Sequence, residues 1–286
     1  MKHRHAHRNG NGKHGESFPH RPRKRFGQNF LHDQNVIERI IAAINPQADD
    51  HIVEIGPGQG ALTRHLLPAC GRLDTIELDR DLAAQLASSI PSTMPSSLQP
   101  ANAFSIHQGD VLKFDFASLT DKPHSLRVVG NLPYNISTPV IFHLLNYHHL
   151  VKDMVFMLQL EVVQRLAAGV GDKSYGRLGL MTQYYCRVEH LFNVPSAAFT
   201  PRPKVNSALV KLTPHLVPPV TARDVSCLQN VIRTAFTQRR KTLKNSLKTL
   251  ITETRLRELG LDVLQRPENL SLSDYVSISD AILPPL

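Results

Sequence analysis

The chain has 286 residues, 41% of them apolar and 20% charged, with no Trp and 6% aromatic; that balance excludes a wholly disordered protein. At this length one large core plus a smaller appendage is expected, because single cores stop growing near ~250–300 residues. The formal charge of +9 invites a nucleic-acid partner, yet residues 1–25 hold eight Lys and Arg against the one acid Glu16, so the other residues carry only +2.

That N-terminal stretch, rich in His, Arg, Gly and Asn, has no apolar periodicity and is expected to be a disordered basic tail. It lacks the apolar segment of a secretory signal, and no run approaches the ~18 apolar residues of a membrane span, so no membrane association is expected. Its histidines are not spaced as a ligand set, and no metal is expected. Cys70, Cys186 and Cys227 are far apart and odd in number, as in a reduced cytoplasmic protein.

In chain order, Val36, Ile37, Ile40, Ile41 and Ile44 have helical spacing over Gln34 to Ile44. HIVEIGPGQGALTRHLL then predicts a strand at His51–Ile55, a Gly-rich turn and a helix, and a second strand ends at Glu77 with a helix starting near Asp79. Further strands are expected at Phe104–His107, Arg127–Val129, Met154–Leu158, Arg187–Val194 and Ala208–Leu212. Helices are expected at Thr138–Tyr147, Glu161–Ala168 and Leu178–Tyr185. Strands alternating with helices predict a mostly parallel sheet covered on both faces, with the last two strands an antiparallel pair at one edge.

TPHLVPPVTA reads as a linker. Beyond it, Val225, Leu228, Ile232, Phe236, Leu243, Leu247 and Leu250 keep a helical period, and two or three short helices follow. The expected organisation is a tail (1–25), an α/β domain (26–213) and a small all-helical domain (214–286).

Ligands of open parallel sheets bind beyond the carboxyl ends of the strands. Gly56, Gly58 and Gly60 lie at one such end, and Glu77 lies 21 residues past Gly56 at the next. Glycines let the backbone approach a nucleotide-like ligand, and an acid there can accept from ribose hydroxyls. A dehydrogenase satisfies this much too. Asp110 and Asn131, after the third and fourth strands, favour S-adenosylmethionine over an extended dinucleotide.

The stretch GNLPYNIS poses a chemical question, because an apolar strand ends on Asn131, Leu132, Pro133 and Tyr134. The exocyclic amine of adenine is a poor nucleophile whose nitrogen becomes positive as it attacks a methyl sulfonium, so acceptors aimed at its N–H groups would stabilise the transition state. Asn131 offers a side-chain carbonyl. Leu132, held extended by the following proline, offers a backbone carbonyl of set direction. Pro133 brings no competing donor, and Tyr134 offers a face on which a base can stack.

RFGQNFL, EIGPGQGALT, ELDRDL, GNLPYNIS, FTPRPKVNSAL and FTQRRKTLKNSL together resemble, in order and over about residues 21–286, the KsgA family of ribosomal RNA adenine dimethyltransferases. The resemblance implies a Rossmann-like S-adenosylmethionine-dependent methyltransferase sheet with a small all-helical C-terminal domain. It implies dimethylation at N6 of two adjacent adenines in the 3′-terminal hairpin of 16S ribosomal RNA, on a nearly assembled small subunit. Asn29, Leu31, Gly56, Glu77, Asp110 and Asn131 match family positions that contact S-adenosylmethionine. Asn131 and Tyr134 match the target-amine slot, and Phe199 matches an aromatic facing the target adenine from the other side. Leu160, where Lys is usual, and Asn206, where Asp is common, depart from the family pattern outside that site.

Val225 to Ile251 contains no acid but holds Arg233, Arg239, Arg240, Lys241, Lys244 and Lys248, a candidate phosphate-binding face. The target adenine should lie in a loop or be splayed out, since a paired base is out of reach. The rivals are a large-subunit adenine methyltransferase of the macrolide-resistance type, which the C-terminal FTQRRKTLKNSL disfavours, and an assembly factor with secondary catalysis. Nothing in the residues demands more than a monomer.

Overall fold

The computed structural model describes residues 27–93 and 104–284; the expected basic tail lies outside them. β1 (Phe30–Leu31) leads into α1 (Gln34–Ile44), which opens where the Asp33 carboxylate accepts from Val36 N–H and closes at Asn45 in the left-handed region. Then come β2 (His51–Ile55), α2 (Thr63–Leu66), β3 (Arg72–Glu77), α3 (Arg80–Thr93), β4 (Phe104–Gln108), β5 (Leu126–Asn131), α4 (Ser137–Leu145) and β6 (Val151–Gln159). After α5 (Leu160–Ala167) and α6 (Arg177–Tyr185), β7 (Cys186–Val194), β8 (Phe199–Thr200) and β9 (Ser207–Pro214) complete the strands.

The seven-stranded sheet has the order β4-β3-β2-β5-β6-β9-β7. β4 through β6 are mutually parallel, while β9 runs antiparallel to both β6 and β7. The expected antiparallel pair at one edge is therefore present. Both faces of the central strands are buried, which is why they read as nearly continuous apolar runs. Val53, Ile55, Val128, Met154 and Phe156 pack on one face with α4 and α5, and Ile52, Val129, Val155 and Met157 pack on the other with α1. From β2 the chain moves outward to β3 and β4 and returns to β5 on the opposite side of β2. This switch point opens a crevice above the ends of β2 and β5. The two strands are tightly apposed there: a methyl group at Gly130 would sit 2.5 Å from the Ile55 carbonyl oxygen.

A buried ion network closes the other end of β5. Arg127 gives two nitrogens to the Asp153 carboxylate on β6, each at 2.9 Å, a third to Asp50 before β2 at 2.6 Å, and a further bond to the Ile44 carbonyl at the end of α1 at 2.6 Å. Burial alone would raise the Asp50 carboxyl, but the bonds from Arg127, Gln47 and Lys152 outweigh it and hold it below the usual carboxylate range.

The C-terminal helices are α7 (Val225–Thr237), α8 (Leu243–Ser246), α9 (Glu253–Glu258) and α10 (Leu272–Ile282), the last opened by a capping box between Ser271 and Asp274. Leu216 and Val217 of the expected linker are 79% and 82% exposed. The third core joins Leu228, Ile232, Leu247 and Tyr275 to Tyr175, Leu180, Met181 and Tyr184. The helical unit thus shares its core with α6, upstream of the boundary expected at 213/214.

One expectation is corrected. The helical period running from Val225 to Leu250 is broken after Thr237, because Leu243 N–H and Lys244 N–H donate to the carbonyls of Gln265 and Val263, at 2.7 and 3.2 Å, rather than to the preceding turn. The acid-free stretch is also not acid-free in space. Lys244 pairs with Glu253 at 3.3 Å, and Arg239 lies 3.7 Å from Glu268.

Candidate active site

A cavity of about 180 Å³ lies at the switch point. It is lined by Asn29, Leu31, Gly56, Glu77, Asp110, Asn131, Leu132, Pro133 and Tyr134. The ends of four parallel strands, β2 to β5, and the N-terminal strap thus bring residues from five sequence segments to one place. Phe199 does not line it. At 2% exposure it packs with Leu31, Val194 and Ala198, because β8 pairs with β1 and turns its aromatic ring into the core. Phe199 thus packs in the core beside Leu31, on the strand that walls the cavity, and its expected place opposite the target base is not among the cavity contacts of the described residues.

The N-terminal strap reaches the cavity by a chain of bonds. β1 pairs with β8, His32 N–H donates to Ala198 carbonyl at 3.0 Å, and Gln28 Nε2 donates to Asp79 at 3.1 Å. The Asn131 Nδ2 group donates to the Asn29 carbonyl at 3.0 Å. That bond settles the orientation of the amide, since its nitrogen faces the strap and its Oδ1 is left as an acceptor. Among the described residues Oδ1 accepts no hydrogen bond.

The backbone after Asn131 is accounted for in the same way. Leu132 N–H donates to Met157 carbonyl at 3.2 Å, the Pro133 carbonyl accepts from Ile136 N–H at 3.1 Å, and the Tyr134 carbonyl accepts from the Ser137 hydroxyl at 3.2 Å. The Leu132 carbonyl accepts from no described residue. Its side chain is 1% exposed and sits in the core, so the backbone is what Leu132 offers the cavity. Tyr134 is held at its far end, where Oη bonds the Ser207 hydroxyl at 2.6 Å and burial raises its pKa. The ring is anchored rather than free to swing.

At the other end, Gly58 has φ of +57°, a conformation that disfavours any side chain, and a Cβ there would also meet the Phe30 ring at 3.3 Å. Gly58 N–H donates to Glu77 Oε2 at 3.2 Å while Asp79 N–H donates to Oε1 at 2.9 Å. Turn and acid are thereby locked together. Burial pushes the Glu77 carboxyl up, and these N–H groups offset only part of the shift. Asp110 Oδ1 accepts from Leu112 N–H at 3.0 Å, which leaves Oδ2 for a ligand. Carboxylates at two strand ends, a glycine-lined turn and the apolar Leu78 and Val111 fit a nucleoside with free ribose hydroxyls.

Glu54 also lines the cavity and was not singled out from sequence, although an acid inside a buried strand is itself a signal. It is 2% exposed and accepts from the Thr63 hydroxyl at 2.7 Å. Burial, reinforced by the charge of Glu77, pushes its pKa to about 7 despite that bond. The folded state therefore keeps a proton that the unfolded chain releases near 4.5, and stability falls as pH rises from about 4.5 to about 7. Glu54→Gln should remove this slope, making the variant more stable than the parent by about 3 kcal/mol at pH 8 and nearly equal to it at pH 4.5. Urea unfolding at both pH values measures it, and parallel pH profiles for the two proteins would show that Glu54 ionises normally.

The ribosomal RNA adenine dimethylase model matches residues 19–283. A ribosomal RNA small subunit methyltransferase A of Pseudomonas fluorescens (strain Pf0-1) is 55% identical over 267 residues, covering 93% of this chain and 95% of its own. The protein of the same name from Hahella chejuensis is 53% identical over 271 residues, covering 95% and 96%. Among solved structures, a dimethyladenosine transferase from Plasmodium falciparum superposes with a TM-score of 0.74 at 27% identity, over 87% of this chain and 95% of that one. The 23S rRNA methyltransferase ErmE shares the fold, with a TM-score of 0.68 at 22% identity over 89% and 99%. With a match that runs through both the sheet and the C-terminal helices, the chain belongs to the ribosomal RNA adenine dimethylase family.

Proposed function

We propose that this protein dimethylates N6 of two adjacent adenines in the 3′-terminal hairpin of 16S ribosomal RNA, acting on the small ribosomal subunit with S-adenosylmethionine as methyl donor. The observation that carries the reading is the pair of unused acceptors, Asn131 Oδ1 and the Leu132 carbonyl, next to an anchored aromatic ring at the rim of a nucleoside-shaped cavity. Family membership and the small-subunit relatives support the substrate.

When bound, the cofactor supplies an electrophilic methyl group on a sulfonium. Asn29, Leu31, Gly56, Glu77 and Asp110 would hold it, Glu77 by the ribose and Asp110 near the adenine. Tyr134 stacks on the target base and limits its tilt. Asn131 and Leu132 accept from the target amine, an interaction that strengthens as the nitrogen becomes positive, and so favours the transition state over the ground state. The proton is lost to water after transfer, and no side chain need act as base.

Methyl transfer to small subunits purified from cells lacking the gene, followed by mass spectrometry of the 3′-terminal RNA fragment, tests the reading. Two neighbouring dimethyladenines are expected there. Transfer confined to large-subunit RNA would overturn it.

The basic surface positions the RNA. Arg233, Arg240, Lys241 and Lys248 are exposed and make no ion pair among the described residues, whereas Arg239 and Lys244 are partly neutralised by Glu268 and Glu253. Each phosphate contact contributes about 0.7–0.9 to the slope of log affinity against log salt. Replacing Arg240 and Lys241 together by Ala should therefore reduce that slope by about 1.5, with a smaller change for Lys244→Ala. Filter binding to small subunits from 50 to 200 mM salt reads it, and equal effects from the two variants would refute the division.

The protein acts as a cytoplasmic monomer in this reading, and its footprint on an unfinished subunit makes it a late assembly factor as well. Among the described residues no helix is long and apolar enough to cross a membrane.

A further inference from the structure

A second cleft, of about 370 Å³, opens where β6 ends and α5 begins, closed on its other side by the loop before β9. Its walls include Gln159, Leu160, Glu161 and Gln164 from the strand end and helix, and Lys204, Val205 and Asn206 from the loop. None of these belongs to the cavity described above. The two sites are nonetheless joined: Gln159 pairs across the ladder with Ser207, and Ser207 is the residue whose hydroxyl holds Tyr134 at 2.6 Å. The cleft therefore begins one residue beyond the anchor of the stacking ring.

Its framework is pinned and its functional groups are idle. Leu160 N–H donates to the Asn206 carbonyl at 3.0 Å, and Asn206 Oδ1 accepts from Ser196 N–H at 3.4 Å, so the loop is tied to the helix start. Gln159 is the residue capping α5 but its side chain makes no capping bond. The carboxamides of Gln159 and Gln164 have no hydrogen-bond partner among the described residues, nor does the ammonium of Lys204 have an ion-pair partner. Val205 stands 44% exposed beside them.

Resting on the dimethylation reading above, we infer that this cleft takes the base of the nucleotide adjacent to the one being methylated, with adenine preferred. A carboxamide matches the donor and acceptor of adenine N6 and N7 in a bidentate pair. Leu160 and Val205 give apolar contact to the base, and Lys204 is placed for its phosphate. Glu161, on the first turn of α5, accepts from an amino group and repels phosphate, which favours a base over backbone in the cleft itself. The cleft flanks the slot on one side only. It therefore serves one of the two adenines when the other occupies the slot, and not the reverse.

The test uses small subunits lacking the modification, with the natural adenine pair or with either adenine replaced by uridine, and follows methylation of the remaining adenine by mass spectrometry. For one of the two replacements, the unaltered protein should show a KM about tenfold higher than for the natural pair, and the other replacement should matter little. Gln159→Ala with Gln164→Ala should abolish that difference by raising KM for the natural pair about tenfold. A double variant that keeps the full discrimination overturns the proposal. So does an unaltered protein that treats both replaced subunits like the natural one, in which case the dimethylation reading stands. No transfer to any subunit by the unaltered protein would instead sink that reading and this inference together. The side chains of the two glutamines make no hydrogen bond among the described residues, so an unchanged thermal midpoint is expected to accompany the loss.

Discussion

Asn131→Ala should lower the rate of methyl transfer at saturating RNA and cofactor by about 10²–10³-fold, the effect of deleting one preorganised group aimed at developing charge. The expectation follows from how the amide is spent. Its Nδ2 donates to the Asn29 carbonyl at 3.0 Å, and its Oδ1, on a residue that lines the cavity, accepts no hydrogen bond among the described residues. Alanine removes both the acceptor and the bond that ties the strap to the end of β5. The rate loss should therefore come with a weaker hold on the cofactor, while affinity for the small subunit stays within about threefold because the basic residues lie in the C-terminal segment from α7 to just past α8, outside the cavity lining. Single-turnover transfer and filter binding separate the two quantities. A variant methylating at the parent rate would disprove the slot. In cells, a variant that binds without methylating should impair growth more than deletion does if the protein also acts in assembly, because it would stay on the particle; growth equal to the deletion would remove the assembly role.

Arg127→Ala should cost about 3–5 kcal/mol of folding stability, since it strands two buried carboxylates that it now pairs. The Arg127 side chain is 6% exposed and those of Asp50 and Asp153 are 3% and 8% exposed. Lys152 and Lys211 reach the same acids from the surface at 3.0 and 3.2 Å and give partial compensation, but neither reaches the Ile44 carbonyl. Thermal melting should show a midpoint lower by roughly 10 °C. A loss below about 1 kcal/mol would mean that the lysines already neutralise the site. Adding Asp153→Asn to Arg127→Ala should recover part of the loss, because it removes one of the two uncompensated charges. The network has a functional side too: it sets the base of β5, whose opposite end carries Asn131 and Leu132.

Much of the site was legible in the chain because local chemistry dictated it. Glycines with positive φ, an acid at the end of the next strand and a proline-locked leucine are requirements of backbone geometry at specific positions, and they appear as residue types at fixed spacing. Apolar runs with β-branched residues located the central strands to within a few residues for the same reason. Glu54 escaped notice because one acid within HIVEI looks like an ordinary exposed strand position until the neighbouring layer is known to cover it.

Phe199 and the basic segment show the opposite case. An aromatic following a strand can point toward a ligand or into the core, and the pairing of β8 with β1 made that choice through a partner about 170 residues away in sequence. The helical period from Val225 to Leu250 was genuine as a record of which residues are buried, yet carbonyls from residues 263 and 265 captured the N–H groups that would have continued the helix. The same fold brought Glu253 and Glu268 to cations that have no acid near them in sequence. By itself the sequence determined the parallel sheet, the glycine turn with its acidic partner and the Asn-Leu-Pro-Tyr segment at the end of β5, because each is specified by neighbours within a few residues along the chain. Only the tertiary structure decided which acceptors and which cations stay unpaired among the described residues and which aromatic is core, because hydrogen bonds and ion pairs are allotted among whatever groups the fold brings within about 3 Å.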